Sequence, residues 1–216
     1  SVPVMVNGDD LIAQAQSGTG KTGAFVMGAL QKVNEEEKST QILIISPTHE
    51  LVHQSYEVIS EISKYMDVSS LKVIGGTNVN DCKQELNRNP QIIMGSPGRV
   101  LDMIQRKYLF TDKITTFILD EADELLSVGF KEQVYNIFQH MPQNVQVGLF
   151  SATLPYEVHS LTDKFMRNPI KVLVKAEQLT LEGISQFYVA LEDDAQKYDC
   201  LKDIFASFSP HYECYS

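Results

Sequence analysis

The chain has 216 residues, 43% of them apolar, enough for one substantial core or for one core and part of another. Its 18 basic and 28 acidic residues leave a net charge of −10, which argues against gripping nucleic acid by bulk charge but leaves room for a local groove of backbone amides and a few side chains. No apolar run approaches the roughly 18 residues of a helical membrane span, nothing at the start reads as a signal peptide, and the widely spaced Cys82, Cys200 and Cys214 build neither a disulfide framework nor a C-x-x-C metal pair.

In chain order, the opening SVPVMVNGDD already reads as the middle of a domain, so an N-terminally trimmed domain is expected. Short apolar, often β-branched runs then recur at 11–13, 42–46, 71–75, 91–95, 116–120, 145–150 and 170–174. Between them lie stretches of helical periodicity at 21–33, 49–65, 98–106, 129–140 and 155–167. Runs such as ILIIS at 42–46 are apolar on both faces, as in a parallel sheet covered by helices on both sides. The alternation predicts βαβ units and a doubly wound, mostly parallel α/β domain. The acidic EEEK at 35–38 reads as a solvated loop, and Met94, Met103 and Met166 fall on apolar stripes as core residues.

Near Val174 the pattern changes. The expected division is a domain over 1–174, a linker over 175–185, and the truncated start of a second domain over 186–216. That last piece holds one strand candidate at 186–191 and one helix candidate at 195–208. One strand and one helix cannot bury a core alone. Residues 1–174 carry 15 basic and 20 acidic side chains, and 175–216 carry 3 and 8, so half of the net charge falls in the shorter piece.

Two stretches carry chemistry on their own residues. In AQAQSGTGKTG (13–23) an apolar strand enters a helix through a glycine-rich turn. Such a turn aims unpaired N–H groups at one spot and adds the positive end of a helix dipole. Lys21 supplies a full charge, and the Thr22 hydroxyl is placed to bind Mg²⁺. The spacing is that of a phosphate loop, G-x-x-x-x-G-K-[ST], with Ala15 at its first glycine position. In TFILDEADELL (116–126) a second apolar strand runs into Asp120 and Glu121. A phosphoryl-transfer enzyme needs one acidic group for the metal and another to orient or deprotonate water. Asp120 suits the first task and Glu121 the second. Each stretch alone is also compatible with an ordinary turn or an acidic helix start; together they point to nucleoside triphosphate chemistry.

The letters Asp120-Glu121-Ala122-Asp123 begin a resemblance that spans essentially residues 1–208: the chain resembles the DEAD-box RNA helicases. AQAQSGTGKT looks like that family's phosphate loop, in which alanine at position 15 is normal. SPTHEL (46–51) resembles P-T-R-E-L, Gly75-Gly76 matches a paired glycine, SPGR (96–99) resembles T-P-G-R, and SAT (151–153) matches the motif after a later strand. The linker LVKAEQLTLEGISQFYVAL and the phrase KFMRNPI resemble the translation-initiation branch of the family.

The resemblance implies a RecA-like P-loop domain acting as an ATP hydrolase and RNA helicase, with ATP and Mg²⁺ as cofactors. It implies phosphate binding by Ser17, Gly18, Thr19, Gly20, Lys21 and Thr22, Mg²⁺ at Thr22 and Asp120 partly through water, and catalysis by Lys21, Asp120 and Glu121. It places RNA-backbone contacts at Pro47, Thr48, His49, Gly75, Gly76, Ser96, Gly98, Arg99 and Asp102. It assigns coupling between the nucleotide and RNA sites to Asp123, Ser151 and Thr153. Partners are RNA, single-stranded or duplex, without strong sequence preference, a second RecA-like domain of the same protein, and scaffold proteins of translation or messenger-RNA processing; no membrane is implied. The implied compartment is the cytoplasm, with the nucleus as alternative. The family's adenine-reading element would lie upstream of Ser1 and its arginine fingers beyond Ser216, so this piece alone is expected to turn over nucleotide slowly. Two letters depart from the family: His49 stands where an arginine is usual, and Ser96 where a threonine is.

Two other readings compete. One is a scaffold-docking domain without autonomous catalysis. The other is a zinc metalloprotease through HELVH (49–53), with His49 and His53 on one helical face, Glu50 as base and a distant carboxylate such as Glu85 as third ligand. The extended protease pattern would want glycine and histidine where Tyr56 and Ile59 stand.

Overall fold

The structure, a computed structural model, describes residues 1–16, 18–127, 129–173, 187–191 and 193–207. Seven short strands are present among them: β1 (Leu11–Gln14), β2 (Ile42–Ile45), β3 (Ser70–Val73), β4 (Ile92–Gly95), β5 (Thr116–Leu119), β6 (Gln146–Ser151) and β7 (Ile170–Val172). All pair in parallel, in the order β3-β4-β2-β5-β6-β1-β7. The helices are α1 (Val2–Asn7), α2 (Lys21–Leu30), α3 (His49–Ile62), α4 (Val79–Leu86), α5 (Pro97–Gln105), α6 (Ala122–Ser127), α7 (Lys131–Gln139), α8 (Tyr156–Phe165) and α9 (Gln196–Ser207).

The two-faced apolar strands predicted from sequence are visible residue by residue. Along β2, Leu43 and Ile45 point into one core, while Ile42 and Ile44 point into the other. Phe117 and Leu119 of β5 face the first core and Ile118 the second, as strand pleating requires. The first core is closed by α4, α5, α6, α7 and α8, and the second by α1, α2 and α3. This division follows from handedness. The chain steps toward the β3 edge through α2 and α3, then back toward the β7 edge through α4 to α8. Right-handed crossovers in opposite directions put their helices on opposite faces. In the first core Phe138 stacks on Phe165 at 4.4 Å between ring centroids and meets Phe117 edge-on at 4.6 Å.

The two edges of the sheet differ in chemistry. At the amino edge three buried glutamines hold loops in place. Gln41 donates to the carbonyls of Asn34 and Glu37, and Gln91 accepts from the amide and hydroxyl of Ser69. Gln146 donates to the carbonyls of Met5 and Asp9 and accepts from Lys32 Nζ. The buried Asp10 carboxylate accepts from the amides of Val147 (2.8 Å) and Arg167 (2.6 Å). No buried side-chain polar atom among the described residues is left without a partner. The carboxyl edge carries the motif loops. The chain leaves β1 toward one side and the adjacent β6 toward the other, which makes the crevice between their loops a topological switch point, where ligands of open α/β sheets bind.

The chain divides into two compact units, Ser1–Leu179 and Thr180–Ser216. In the second unit α9 occupies most of the expected 195–208 helix, and none of its residues is buried. Leu201, Ile204 and Phe205 stand exposed on it. The strand expected at 186–191 is not seen: residues 187–191 pair with no strand among the described residues, and residue 186 and the 175–185 linker lie outside them.

Candidate functional site: the carboxyl edge of the sheet

The phosphate-loop stretch connects β1 to α2. Gly18 and Gly20 have φ of +78° and +90°, left-handed angles that side chains other than glycine adopt at a cost. Gly20 is the N-cap of α2, no side chain caps that end, and the Thr19 hydroxyl donates to the carbonyl of Gln16. The first amides of α2 therefore face the loop with no protein side chain upon them. Ser17 lies outside the described residues, and Thr22 is half-buried. A cavity of about 130 Å³ beside the loop is lined by Gln14, Ala15, Thr19, Gly20, Lys21 and Phe150, among others.

Lys21 is the first residue of α2 and 8% exposed. Its ammonium donates to the Ala15 carbonyl at 3.0 Å and to Glu121 Oε2 at 3.1 Å, one hundred residues away. The phosphate loop and the β5 acidic pair are thus in direct contact. Glu121 reaches Lys21 from a backbone with φ +47°, a left-handed conformation uncommon outside glycine. Strain of this kind persists only where surrounding structure enforces it, and it concentrates at functional sites.

Asp120 is 3% exposed and accepts a 3.3 Å hydrogen bond from the Ser46 hydroxyl at the end of β2. Burial pushes its carboxyl up to about 6, and the adjacent Glu121 charge adds to the rise. No ion pair meets it among the described residues. Oxygen donors on a buried carboxylate without an ion-pair partner, with the Thr22 hydroxyl in the first turn of α2, fit a hard divalent cation such as Mg²⁺.

Asp123 sits at the start of α6 and reaches across to the end of β6. Its Oδ2 accepts from the Thr153 hydroxyl (2.7 Å) and amide (3.0 Å), and its own amide donates to Ser151 Oγ (3.1 Å). Burial alone would push this carboxyl up; the hydroxyls of Thr153 and Ser151 and nearby amides outweigh it and hold the group below its ordinary value. Gln14 at the end of β1 adds a 3.2 Å bond to the Ala152 carbonyl, tying the β1 and β6 loops together. Leu51, Glu121, Asp123, Glu124, Ser127, Thr153 and Pro155 line an open cleft of about 530 Å³ beside this network.

The remaining predicted residues stand beyond β2, β3 and β4. Thr48 caps α3 by accepting from the Leu51 amide at 3.2 Å. The His49 imidazole lies beside Gly75, at a distance that would leave room for a Cβ there. Gly76 has φ +79°, and both Gly76 and Gly98 have open space where a side chain would stand. Ser96 is the N-cap of α5 and is buried, Asp102 pairs with Arg106 at 2.7 Å, and the Arg99 guanidinium is drawn onto Thr77.

The zinc reading is overturned. His49 rests on Gly75, while His53 Nδ1 meets Lys72 Nζ at 2.8 Å, so the two rings serve different contacts. Glu85 pairs with Arg88, and no group of three His, Cys, Asp or Glu able to hold a metal exists among the described residues. Four features of the edge were not read from sequence: the left-handed Glu121, the Ser46 bond to Asp120, the Gln14 tie and the Thr77 acceptor. The last three had a signal, since polar residues directly flanking motif positions are natural partners for them.

A parallel sheet with a glycine-rich loop after β1, a lysine bound to the acidic end of β5 and a hydroxyl-bridged β6 loop defines an α/β domain of the P-loop class. Residues 1–161 match the model of the DEAD/DEAH box helicase family, and the chain belongs to that family. It is 53% identical over 205 residues to the ATP-dependent RNA helicase eIF4A of Candida albicans, covering 95% of this chain and 52% of the relative. To the protein of the same name from Aspergillus niger it is 51% identical over the same length. The fold resembles S. cerevisiae Dbp5 bound to RNA and ADP BeF3, with a TM-score of 0.78, 33% identity, and coverage of 92% of this chain and 50% of that one. It also resembles a Dbp5 variant bound to a Gle1 variant and IP6, at TM-score 0.72, 31% identity and 96% and 52% coverage. The chain spans about half the length of the curated relatives it matches.

Proposed function

We propose that this chain is the ATP-binding half of an RNA-stimulated ATPase and RNA helicase of the eIF4A type. The observation that carries the reading is the Lys21–Glu121 ion pair, which joins the phosphate loop to the acidic pair across one hundred residues. Lys21 and the amides from residue 17 to Thr22 hold the polyphosphate. Thr22 and Asp120 would hold Mg²⁺, partly through water, and the ion would neutralise charge on the phosphates. An incoming polyphosphate offers the Lys21 ammonium a more highly charged partner than Glu121. Their exchange leaves the Glu121 carboxylate free to take a proton from water as that water attacks the γ-phosphorus in line, giving ADP and phosphate.

RNA runs over the loops after β2, β3 and β4, from Pro47, Thr48 and His49 past Gly75 and Gly76 to Ser96, Gly98, Arg99 and Asp102. Glycine amides, hydroxyls and one arginine suit phosphate and sugar rather than base edges, so binding is without strong sequence preference. Asp123, with Ser151 and Thr153, couples the two halves of the edge. The domain organisation proposed is an ATPase domain over 1–174, a linker over 175–185 and the beginning of a second RecA-like domain over 186–216, which would complete both sites. Scaffold proteins of translation or messenger-RNA processing are the partners proposed, in keeping with the likeness to a Gle1-bound Dbp5. The cytoplasm is the compartment proposed, from the eIF4A-named relatives; no helix of the described residues is long and apolar enough to cross a membrane.

The test is a titration of this chain with a fluorescent ATP analogue, with and without Mg²⁺. Binding that needs Mg²⁺ and is lost in Lys21→Ala supports the reading. Binding indifferent to both would remove it.

A further inference from the structure

The Arg99 guanidinium does not stand free at the start of α5. Its Nη1 donates to Thr77 Oγ1 at 2.9 Å and its Nη2 to the Thr77 carbonyl at 2.9 Å. Thr77 is itself held, because its hydroxyl donates to the Ile74 carbonyl at 3.0 Å. It lies between Gly76, at φ +79°, and Asn78, which caps α4 by accepting from the Asn80 amide. A planar guanidinium gripped by two acceptors on one edge loses its rotational freedom and presents its remaining N–H groups in one fixed direction. The same two bonds tie the β3–α4 loop, with Gly75 and Gly76, to the start of α5, with Ser96 and Gly98.

We infer that Thr77 is a positioning residue for RNA binding, which sets the direction of the Arg99 guanidinium and the spacing between the Gly75–Gly76 loop and the Ser96–Arg99 turn so that both meet one stretch of RNA backbone. The inference rests on the proposed function. Removing the Thr77 hydroxyl leaves only the carbonyl to hold Arg99. An arginine held by one acceptor samples several orientations, and ordering it again opposes binding. Thr77 is exposed, so its substitution leaves the cores untouched.

The experiment measures binding of a labelled single-stranded oligouridine RNA by fluorescence anisotropy at low salt. It compares the unaltered chain with Thr77→Ser, Thr77→Val, Arg99→Ala and the Thr77→Val/Arg99→Ala double variant, and each preparation is also titrated with a fluorescent ADP analogue. Thr77→Val is expected to weaken RNA binding by about 3- to 10-fold, the range for losing one ordinary hydrogen bond, since the Thr77 carbonyl still holds the guanidinium. Thr77→Ser is expected to retain most of the affinity, ADP binding to stay unchanged, and the double variant to bind no more weakly than Arg99→Ala. Thr77→Val binding RNA like the unaltered chain overturns the inference alone. So does a double variant in which the two losses multiply, or a Thr77→Ser loss as large as that of valine. If the unaltered chain binds ADP and RNA no better than Lys21→Ala and Arg99→Ala do, the function reading itself fails, and the inference falls with it.

Discussion

The carboxyl edge of this sheet holds two neighbouring regions built in opposite ways. Around β1, β5 and β6 the charged groups are buried or half-buried and bonded to neighbours: Lys21 to Glu121, Asp120 to Ser46, Asp123 to the exposed Thr153. Around β2, β3 and β4 the candidate groups are mostly uncharged and carry no ion pair between motifs: Gly76 and Gly98 in open space, a capping threonine, and one arginine and one aspartate each held by a neighbour. The difference matches what each region is proposed to do. Phosphoryl transfer needs charges fixed in a site of low polarity, where each is worth most. Holding an RNA backbone needs donors at regular spacing on a surface that water also reaches. Substitutions in the first region should therefore act on chemistry and stability in large steps, and those in the second on affinity in small ones.

The largest effect is expected at Glu121. In a protein completed by the second helicase domain of a relative, Glu121→Gln should lower ATP hydrolysis by about 10²- to 10⁴-fold, the usual range for loss of a general base, while nucleotide binding stays within a few-fold. Equal loss of both in steady-state kinetics and nucleotide titration would place Glu121 in binding instead.

Asp120 comes next, and its direction is unusual. Its folded value of about 6 lies above the ordinary carboxylate value, so the charged form destabilises the fold. The cost is full above about pH 6 and vanishes as pH falls below about 4, where the group is protonated in both states. Asp120→Asn should stabilise the Mg²⁺-free protein at pH 8 by up to about 3 kcal/mol, two pKa units at 1.36 kcal/mol each, and by almost nothing at pH 4. Denaturant melts at the two pH values check this. Hydrolysis should be lost in the same variant, so stability and activity part company at this residue.

Thr153→Val should do less. It removes the 2.7 Å bond to Asp123 and costs about 1–2 kcal/mol of stability. Because Asp123 is held below its ordinary value, the stability it adds is present at neutral pH and lost as pH falls through the acid range. The gap between Thr153→Val and the unaltered chain should accordingly narrow on acidification, as thermal melts would show. The smallest effect belongs to the second region. His49→Arg adds a full charge beside Gly75 and should tighten RNA binding by about 2- to 5-fold, steepening its salt dependence by about one phosphate contact. A His49→Arg change as large as that of Glu121→Gln would erase the contrast between the two regions.

Much of the fold was legible because its central strands are buried on both faces. ILII and TFIL leave no polar alternation to mislead, and seven short apolar runs separated by helical periods admit few arrangements. The phosphate loop and the acidic pair were legible because their chemistry requires rare residue types at fixed spacing. Other features were hidden for physical reasons. The α1 helix lies in Val-Pro-Val-Met-Val-Asn, where β-branched residues favour extended chain and burial of Met5 against α2 and β6 decides the outcome. The α4 helix is eight residues long and mostly polar, too short to show a period, and is fixed by its Asn78 cap and by burial of Cys82 and Leu86. Asp10, Gln41, Gln91 and Gln146 are residue types usually found on the surface, and only the loops folded over them account for their burial. The left-handed backbone of Glu121 leaves no trace in the letters Asp-Glu-Ala-Asp.

The central claim is that the region around β1, β5 and β6 and the region around β2, β3 and β4 work as a single RNA-dependent ATPase. It is tested most directly by the rate of ATP hydrolysis with and without single-stranded RNA, for this chain alone and for this chain continued with the second helicase domain of a relative. The account predicts slow, RNA-indifferent turnover by the chain alone, and RNA-stimulated turnover by the completed protein that Glu121→Gln abolishes. Turnover by the completed protein that is absent, or that RNA leaves unchanged, would contradict it.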